Sequence, residues 1–155
     1  MITIKRIYTF SAAHRLEGHP KCGRMHGHNY IVEVEASAVM RGDPIDWVMD
    51  FAVLDDIVRP VLDELDHRYI YGRHNEQLCP YLETAISLGH AKMIPYYETT
   101  AENLVRYLEV EIGKTLRQVS DVVIESLTVH ETARSSATIS HPIRTWGISP
   151  IVSSL

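Results

Sequence analysis

The chain has 155 residues, enough for one domain, and its 45% apolar and 23% charged residues are ordinary for a globular protein. Its net charge of -5 gives no basic field for nucleic acid or an anionic membrane. No apolar run approaches the ~20 residues that span a bilayer. The N-terminal residues alternate and lack a signal-peptide core, so we expect a cytoplasmic protein that binds neither nucleic acid nor membrane.

Four segments alternate between apolar and polar residues, a period of two that predicts β-strands. They are residues 2–10, 26–38, 121–131 and 134–140. In the second segment His26, His28 and Tyr30 share one face with small apolar residues. We therefore expect that strand to be buried on one side only.

Two segments, residues 51–66 and 101–117, repeat apolar residues every three or four positions and predict amphipathic helices. Asp50 and Thr100 are suitable N-caps for them. Pro60 lacks a backbone N–H and should kink or split the first helix.

The connection between the two helices, residues 68–99, has no clean period, although residues 79–88 could form a short helix. The order strand, strand, helix, insert, helix, strand, strand predicts an α+β fold. Its antiparallel four-stranded sheet would be covered on one face by two helices. The two open edges of such a sheet can be protected by pairing across subunits.

A histidine cluster follows the first strand. His26 and His28 are two residues apart on a strand, so their rings point to the same side. His14 joins them if the first two strands pair antiparallel. Three imidazoles with one open position are a ligand set of catalytic zinc. His19 is a spare candidate, and the alternative is that these residues only form a turn and a surface.

Cys22 lies in a loop with Lys21 and Arg24. Cationic neighbours and a nearby metal favour the thiolate, which could act as a general base. The alternatives are an inert small side chain or a fourth zinc ligand that closes the site.

Asp66 and His67 are adjacent at the end of the first predicted helix. A helix end can direct both side chains into a cleft, although consecutive residues do not share a helix face. The alternative is an ordinary solvated helix terminus.

Six short segments together resemble the 6-pyruvoyltetrahydropterin synthase and 6-carboxytetrahydropterin synthase family. They are F-S-A-A-H at 10–14, C-G-R-M-H-G-H at 22–28, V-M-D-F at 48–51, L-D-H at 65–67, T-A-E-N at 100–103 and V-H-E-T at 129–132. The resemblance covers about residues 2–140. It implies a single domain over residues 1–140 with an insert at about 70–98, followed by a C-terminal tail at 141–155.

The fold that the resemblance implies is the T-fold, made of two strands, two helices and two strands. Three subunits close a strand barrel, and two trimers stack into a homohexamer with active sites between subunits. The implied zinc ligands are His14, His26 and His28. The implied catalytic group is Cys22 together with Asp66 and His67, of which the last two come from a neighbouring subunit.

The resemblance also implies substrate contacts. Glu131 matches the glutamate that binds the pterin ring, because a carboxylate can accept two N–H bonds from the ring's 2-amino-pyrimidinone edge. Thr100 belongs to the matching T-A-E-N segment. Arg24, with Arg15 and Lys21, could attract an anionic substrate, and a solvated basic loop is the alternative.

The implied substrate is 7,8-dihydroneopterin triphosphate. Zinc acts on it as a Lewis acid, Cys22 and His67 move protons, and triphosphate leaves by elimination. A pyruvoyl synthase stops after this elimination and an internal redox step. A carboxy synthase also cleaves the side chain, releases acetaldehyde and supplies queuosine-type deazapurine synthesis. Gly23 and Arg24 after the cysteine resemble the bacterial carboxy branch, which we therefore expect.

Two other classes of protein stay open, a zinc- or pterin-binding protein without activity and a metallohydrolase unrelated to pterins. The chain also departs from the family pattern. Ile70 and Tyr71 follow the L-D-H segment where the family continues with Leu-Asn, and the insert is longer than expected. We expect the insert, with Cys79, to serve an interface or a surface, and Trp146 of the tail to contact a neighbouring subunit.

Overall fold

The computed structural model describes residues 2–38, 47–74 and 80–141. The helices and strands, in chain order, are β1 Thr3–His14, β2 His26–Ser37, α1 Phe51–Asp63, β3 Arg68–Tyr71, α2 Pro80–Ser87, β4 Ala91–Met93, α3 Ala101–Val119, β5 Val123–Thr132 and β6 Ser135–Ser140. Cys79 and Trp146, discussed above, lie outside the described residues.

All six strands form one sheet in the order β4-β3-β1-β2-β5-β6. The four predicted strands make its antiparallel part, where β1 pairs with β2, β2 with β5, and β5 with β6. Two short strands of the insert, β3 and β4, extend the sheet in parallel beyond β1. The expected α+β class is confirmed, and the sheet has two strands more than predicted.

The main core lies between one face of this sheet and helices α1 and α3. Tyr30 and Val32 of β2 are fully buried, and so are Leu54 of α1 and Leu104 of α3. Burial of one such large apolar side chain contributes about 1.5–3 kcal/mol to folding. The predicted alternation of β2 is therefore confirmed, with its histidines on the core face.

Helix α1 begins at its predicted cap, because the Asp50 carboxylate accepts the Ala52 N–H at 2.8 Å. The helix continues through Pro60 to Asp63, so the expected split does not occur. Pro60 is on the exposed side of the helix, while Val58 on the core side is fully buried. Packing against the sheet outweighs the one backbone hydrogen bond that proline cannot donate.

Helix α2 packs on the other face of the sheet. Its Leu82 forms a second, small apolar cluster with Tyr69 and Tyr71 of β3. Ala13 of β1 packs on this cluster, whereas its neighbour Ala12 belongs to the main core. Since successive strand residues point to opposite faces, α2 covers part of the side of the sheet that α1 and α3 leave open, around β3. None of the helices in the described ranges is both long and apolar enough to cross a membrane.

Candidate metal centre and active site

The strand register brings three histidines together. His14 lies directly opposite His26 in the β1–β2 ladder, and Ala12 lies opposite His28. The three rings have centroids 4.6–5.2 Å apart, and one ligand nitrogen from each lies within 4.8 Å of the others. The predicted antiparallel pairing is confirmed, and with it the predicted grouping of the three side chains.

Backbone carbonyls hold two of these rings from behind. The Nδ1 atom of His14 is 3.0 Å from the Thr99 carbonyl oxygen and 3.2 Å from its hydroxyl. The Nδ1 atom of His26 is 2.7 Å from the Arg24 carbonyl. A carbonyl oxygen can only accept, so each Nδ1 carries the proton and leaves the Nε2 lone pair free. This is the usual arrangement behind metal-binding histidines.

The front of the group is a set of unsatisfied nitrogens. The Nε2 atoms of His14, His26 and His28 are all buried, and none has a hydrogen-bond partner among the described residues. Buried polar atoms normally have a hydrogen-bond partner, so three neighbouring nitrogens without one need an explanation. A metal ion bound by the three nitrogens satisfies all of them, and the site fits one.

The environment keeps the rings of His14 and His28 in the neutral form that binds metal. Burial, with smaller contributions from the neighbouring His26 and His28 rings, lowers the pKa of His14 to about 4 in spite of the opposing hydrogen bond to Thr99. Burial also lowers the pKa of His28. Both imidazoles are therefore neutral near pH 7 even without an ion, as a metal ligand must be.

Glu131 borders the histidine group from the end of β5. Its Oε1 atom is 3.6 Å from Nε2 of His14 and 3.8 Å from Nε2 of His28, too far for hydrogen bonds. Its side chain is 24% exposed, so the carboxylate lies at the boundary between the buried group and solvent. The carboxylate thus borders the point where the three histidine nitrogens converge.

Asp66 and His67 form an acid–histidine pair at the turn after α1. Asp66 accepts the Ser11 N–H at 2.7 Å with one oxygen and contacts His67 Nδ1 at 2.8 Å with the other. The Ser11 hydrogen bond is the main cause of the lowered pKa of Asp66. The carboxylate thus stays charged and orients the imidazole, as in acid–base pairs of enzymes.

The backbone presents the His67 ring to solvent. His67 has a φ of 56°, a left-handed conformation that costs energy in any residue with a Cβ. Its N–H donates to the Ser11 carbonyl at 2.6 Å, and its side chain is 83% exposed. The backbone conformation of the turn therefore directs the imidazole of His67 into solvent.

The exposed ring lines an open cleft of about 450 Å³. Ser11 and Asn29 also line it, and the cleft reaches His28. Asn29 lies on the strand face opposite Tyr30, so this part of the cleft is on the side of the sheet away from the core. The structure thus brings together the three histidines and Glu131. The Asp66–His67 pair does not join this group, and its imidazole lies in the open cleft instead.

Cys22 lies in the β1–β2 loop, half-buried and in no disulfide. It is not part of the metal-ligand group in the described chain, so its alternative role as a fourth ligand has no support. Thr100 caps α3 as predicted, its hydroxyl accepting from the Asn103 N–H. Arg24 is exposed, and its carbonyl contacts Nδ1 of His26.

Two residues at the site escaped the sequence-based interpretation. Thr99 holds His14 from 85 positions away, and only its place beside the cap Thr100 could have indicated a role. Tyr30 packs edge-on against the rings of His14 and His28, and its fully buried hydroxyl has no partner among the described residues. Its place two residues after His28 on the same strand face was the available signal.

Comparison with known proteins identifies relatives along almost the whole chain. The family model of 6-pyruvoyl tetrahydropterin synthase matches residues 3–142. A 6-carboxy-5,6,7,8-tetrahydropterin synthase of Haemophilus influenzae is 33% identical over 139 residues, 87% of this chain and 96% of that protein. A protein of the same name from Rickettsia felis is 31% identical over 134 residues, 85% of this chain and 95% of that protein.

Solved structures show the same fold. The 6-pyruvoyl tetrahydropterin synthase of Caenorhabditis elegans superposes with a TM-score of 0.66 at 24% identity, over 91% of this chain and 96% of that one. The Plasmodium vivax 6-pyruvoyltetrahydropterin synthase gives 0.63 at 22% identity, over 92% and 100%. The expected T-fold is confirmed. The extent of the sequence match and the shared fold show that the chain belongs to the 6-pyruvoyl tetrahydropterin synthase family.

Proposed function

We propose that the protein is a zinc-dependent 6-carboxy-5,6,7,8-tetrahydropterin synthase. It converts 7,8-dihydroneopterin triphosphate to 6-carboxy-5,6,7,8-tetrahydropterin with release of triphosphate and acetaldehyde, and serves queuosine-type deazapurine biosynthesis. The observation that carries this function is the convergence of three buried, unpartnered histidine nitrogens beside a carboxylate. The names of the two relatives support the carboxy branch.

His14, His26 and His28 hold the zinc ion. Three neutral nitrogen donors with one position left for substrate are typical of catalytic zinc. When bound, the ion supplies Lewis acidity to the hydroxyl groups of the substrate side chain. The carbonyls of Thr99 and Arg24 keep the two rings fixed, so the site is organised before the ion arrives.

Glu131 binds the pterin ring. Its carboxylate accepts N–H bonds from the amino-pyrimidinone edge. Its position, 3.6 Å from Nε2 of His14 and 3.8 Å from Nε2 of His28, supports binding of the ring next to the metal. Thr100 and Arg24 supply further substrate contacts. Arg24 is exposed beside the site and can meet the triphosphate, while Arg15 is paired with Glu17.

Cys22 takes a proton from the substrate side chain, and His67 gives and takes protons at its other carbons while Asp66 holds the imidazole. The pair comes from a neighbouring subunit of a homohexamer, a dimer of trimers. The outward-facing His67 ring and its cleft away from the core support this arrangement. Residues 1–140 are the catalytic domain, with the insert at about 70–98 and the tail at 141–155, and the enzyme works in the cytoplasm.

Replacement of Cys22 tests catalysis against mere binding. Cys22→Ala should keep its zinc and lose turnover of 7,8-dihydroneopterin triphosphate by at least about 100-fold, the usual contribution of a general base. Cys79→Ala removes the other cysteine and is the matched control. Equal activity of wild type and Cys22→Ala would contradict the role of the thiolate, and an inactive wild type that binds zinc and pterin would indicate a binding protein.

A further inference from the structure

The β1–β2 loop folds into a compact turn that presents Cys22. The Leu16 N–H donates to the Cys22 carbonyl at 2.8 Å, and the Gly23 N–H donates to the His19 carbonyl at 2.8 Å. The loop therefore closes on itself from both sides of Cys22. The Cys22 N–H, at the tip of the turn, is bound by a side chain instead.

The imidazole of His19 satisfies that amide. Its Nδ1 atom accepts the Cys22 N–H at 2.8 Å and lies 3.3 Å from the Lys21 N–H. Side chains of Asn, Asp and Ser cap turns and helix ends in the same way, by accepting N–H groups two and three residues further on. His19 does this with a ring nitrogen.

This geometry gives His19 a role other than metal binding. Its Nδ1 lone pair is used by the turn, and within the described ranges the metal-ligand group contains only His14, His26 and His28. The sequence-based interpretation of His19 as a spare ligand has no support. The ring belongs to the loop and faces Cys22, with its remaining edge exposed.

The turn has little freedom to adjust. A Cβ atom at Gly23 would lie 2.5 Å from the His19 carbonyl oxygen, closer than such contacts occur. The backbone on both sides of Cys22 is thus held close to His19. A change in the position of the ring would alter the contact that holds the Cys22 amide.

We propose that His19 is a positioning residue, which holds the Cys22 amide through Nδ1 and so sets where the thiolate meets the substrate. This role rests on the proposed function, since it assumes that Cys22 reacts. A misplacement of a reacting group by about 1 Å can cost about 100-fold in rate. A hydrogen bond to the neighbouring amide is the kind of contact that prevents such a shift.

Two substitutions separate the acceptor from the rest of the ring. His19→Leu fills similar space without an acceptor, and His19→Asn restores a turn-capping acceptor. With zinc-loaded protein, kcat of His19→Leu should fall about 10- to 100-fold while KM and bound zinc stay unchanged. His19→Asn should recover most of kcat. His90→Leu, at an exposed histidine of the insert, is the matched control.

The reactivity of Cys22 supplies a readout that does not need turnover. In a Cys79→Ala background, the rate of alkylation by iodoacetamide should change in His19→Leu and return towards wild type in His19→Asn. An alkylation change with inactive wild type would show that His19 controls the reactivity of Cys22 but would reject the proposed function. Wild-type kcat and alkylation in His19→Leu, or no recovery in His19→Asn, would overturn the role. If His19→Leu loses its fold, His19→Ala takes its place.

Discussion

The cluster of three histidines allows a prediction at the scale of single residues. His26→Ala removes one of the converging nitrogens, and zinc affinity should fall by more than about 100-fold, since even residues behind the ligands cost 10- to 100-fold. Zinc content after dialysis against a chelator measures it. His130→Ala is the matched control, because His130 lies away from the group and pairs with Glu33 at 3.1 Å. Equal zinc content in His26→Ala and wild type would contradict the metal site.

Tyr30 makes a second prediction at this scale. Its hydroxyl is fully buried without a partner in the described chain, and an unsatisfied buried hydroxyl destabilises the fold. Tyr30→Phe keeps the stacking on Phe10, whose ring centroid is 4.8 Å away, and should leave the metal-free protein about 1 kcal/mol more stable. Urea unfolding measures the difference. A loss of stability would mean that the hydroxyl has a partner.

At the scale of secondary structure, a polar link joins β1 to α1. Asp55 accepts hydrogen bonds from Arg6 at 3.0 and 2.5 Å and from the Tyr8 hydroxyl at 3.0 Å. The Arg6 bonds are the main cause of the lowered pKa of Asp55. The link therefore stabilises the fold fully above the ordinary aspartate pKa of about 3.9 and is lost as the pH falls through the lowered value.

Asp55→Asn should accordingly destabilise the protein at pH 7, with a lower urea midpoint than wild type. The difference should shrink as the pH is lowered from 7 towards 2, because Asp55 becomes protonated as the pH falls through its lowered pKa. Asp56→Asn, at the exposed neighbouring position of the same helix, is the matched control and should change little. A difference that is the same at both pH values would show that the charge of Asp55 contributes nothing.

The elements that carry the site follow from local sequence pattern. Strict alternation determines which residues of β2 face the core. It therefore makes it predictable that the His26 and His28 rings point to the same side. The strands β3 and β4 have four and three residues, too few to show a period. The sequence also does not show on which face of the sheet α2 packs. Tyr69, Ile70 and Tyr71 are all buried, so β3 is covered on both faces and has no polar face to distinguish them.

Contacts between distant segments account for the other omissions. Thr99 forms a hydrogen bond with His14, which is 85 positions away in the sequence, and no local sequence pattern predicts such a contact. The Asp66–His67 pair was recognised from its motif, but its outward presentation depends on a left-handed residue and on the backbone of Ser11. The cap formed by His19 is local, yet histidine is not among the residues expected to cap a turn.

At the scale of the whole molecule, the proposed assembly places Cys22 and His67 of different subunits in one active site. Cys22→Ala and His67→Ala should each be inactive alone. Hexamers assembled from equal amounts of both should recover about a quarter of wild-type activity, because one site in four then has both groups intact. Co-expression followed by a turnover assay measures this. Mixed hexamers without activity, or a monomeric wild type in solution, would contradict shared sites.

The most direct test of the proposed function is identification of the reaction product. Zinc-loaded protein is incubated with 7,8-dihydroneopterin triphosphate, the pterin product is identified by mass, and acetaldehyde is measured in parallel. We expect 6-carboxy-5,6,7,8-tetrahydropterin and acetaldehyde in equal amounts. A pyruvoyl product without acetaldehyde would contradict the carboxy synthase assignment, and a merely hydrolysed or unchanged substrate would contradict the lyase chemistry altogether.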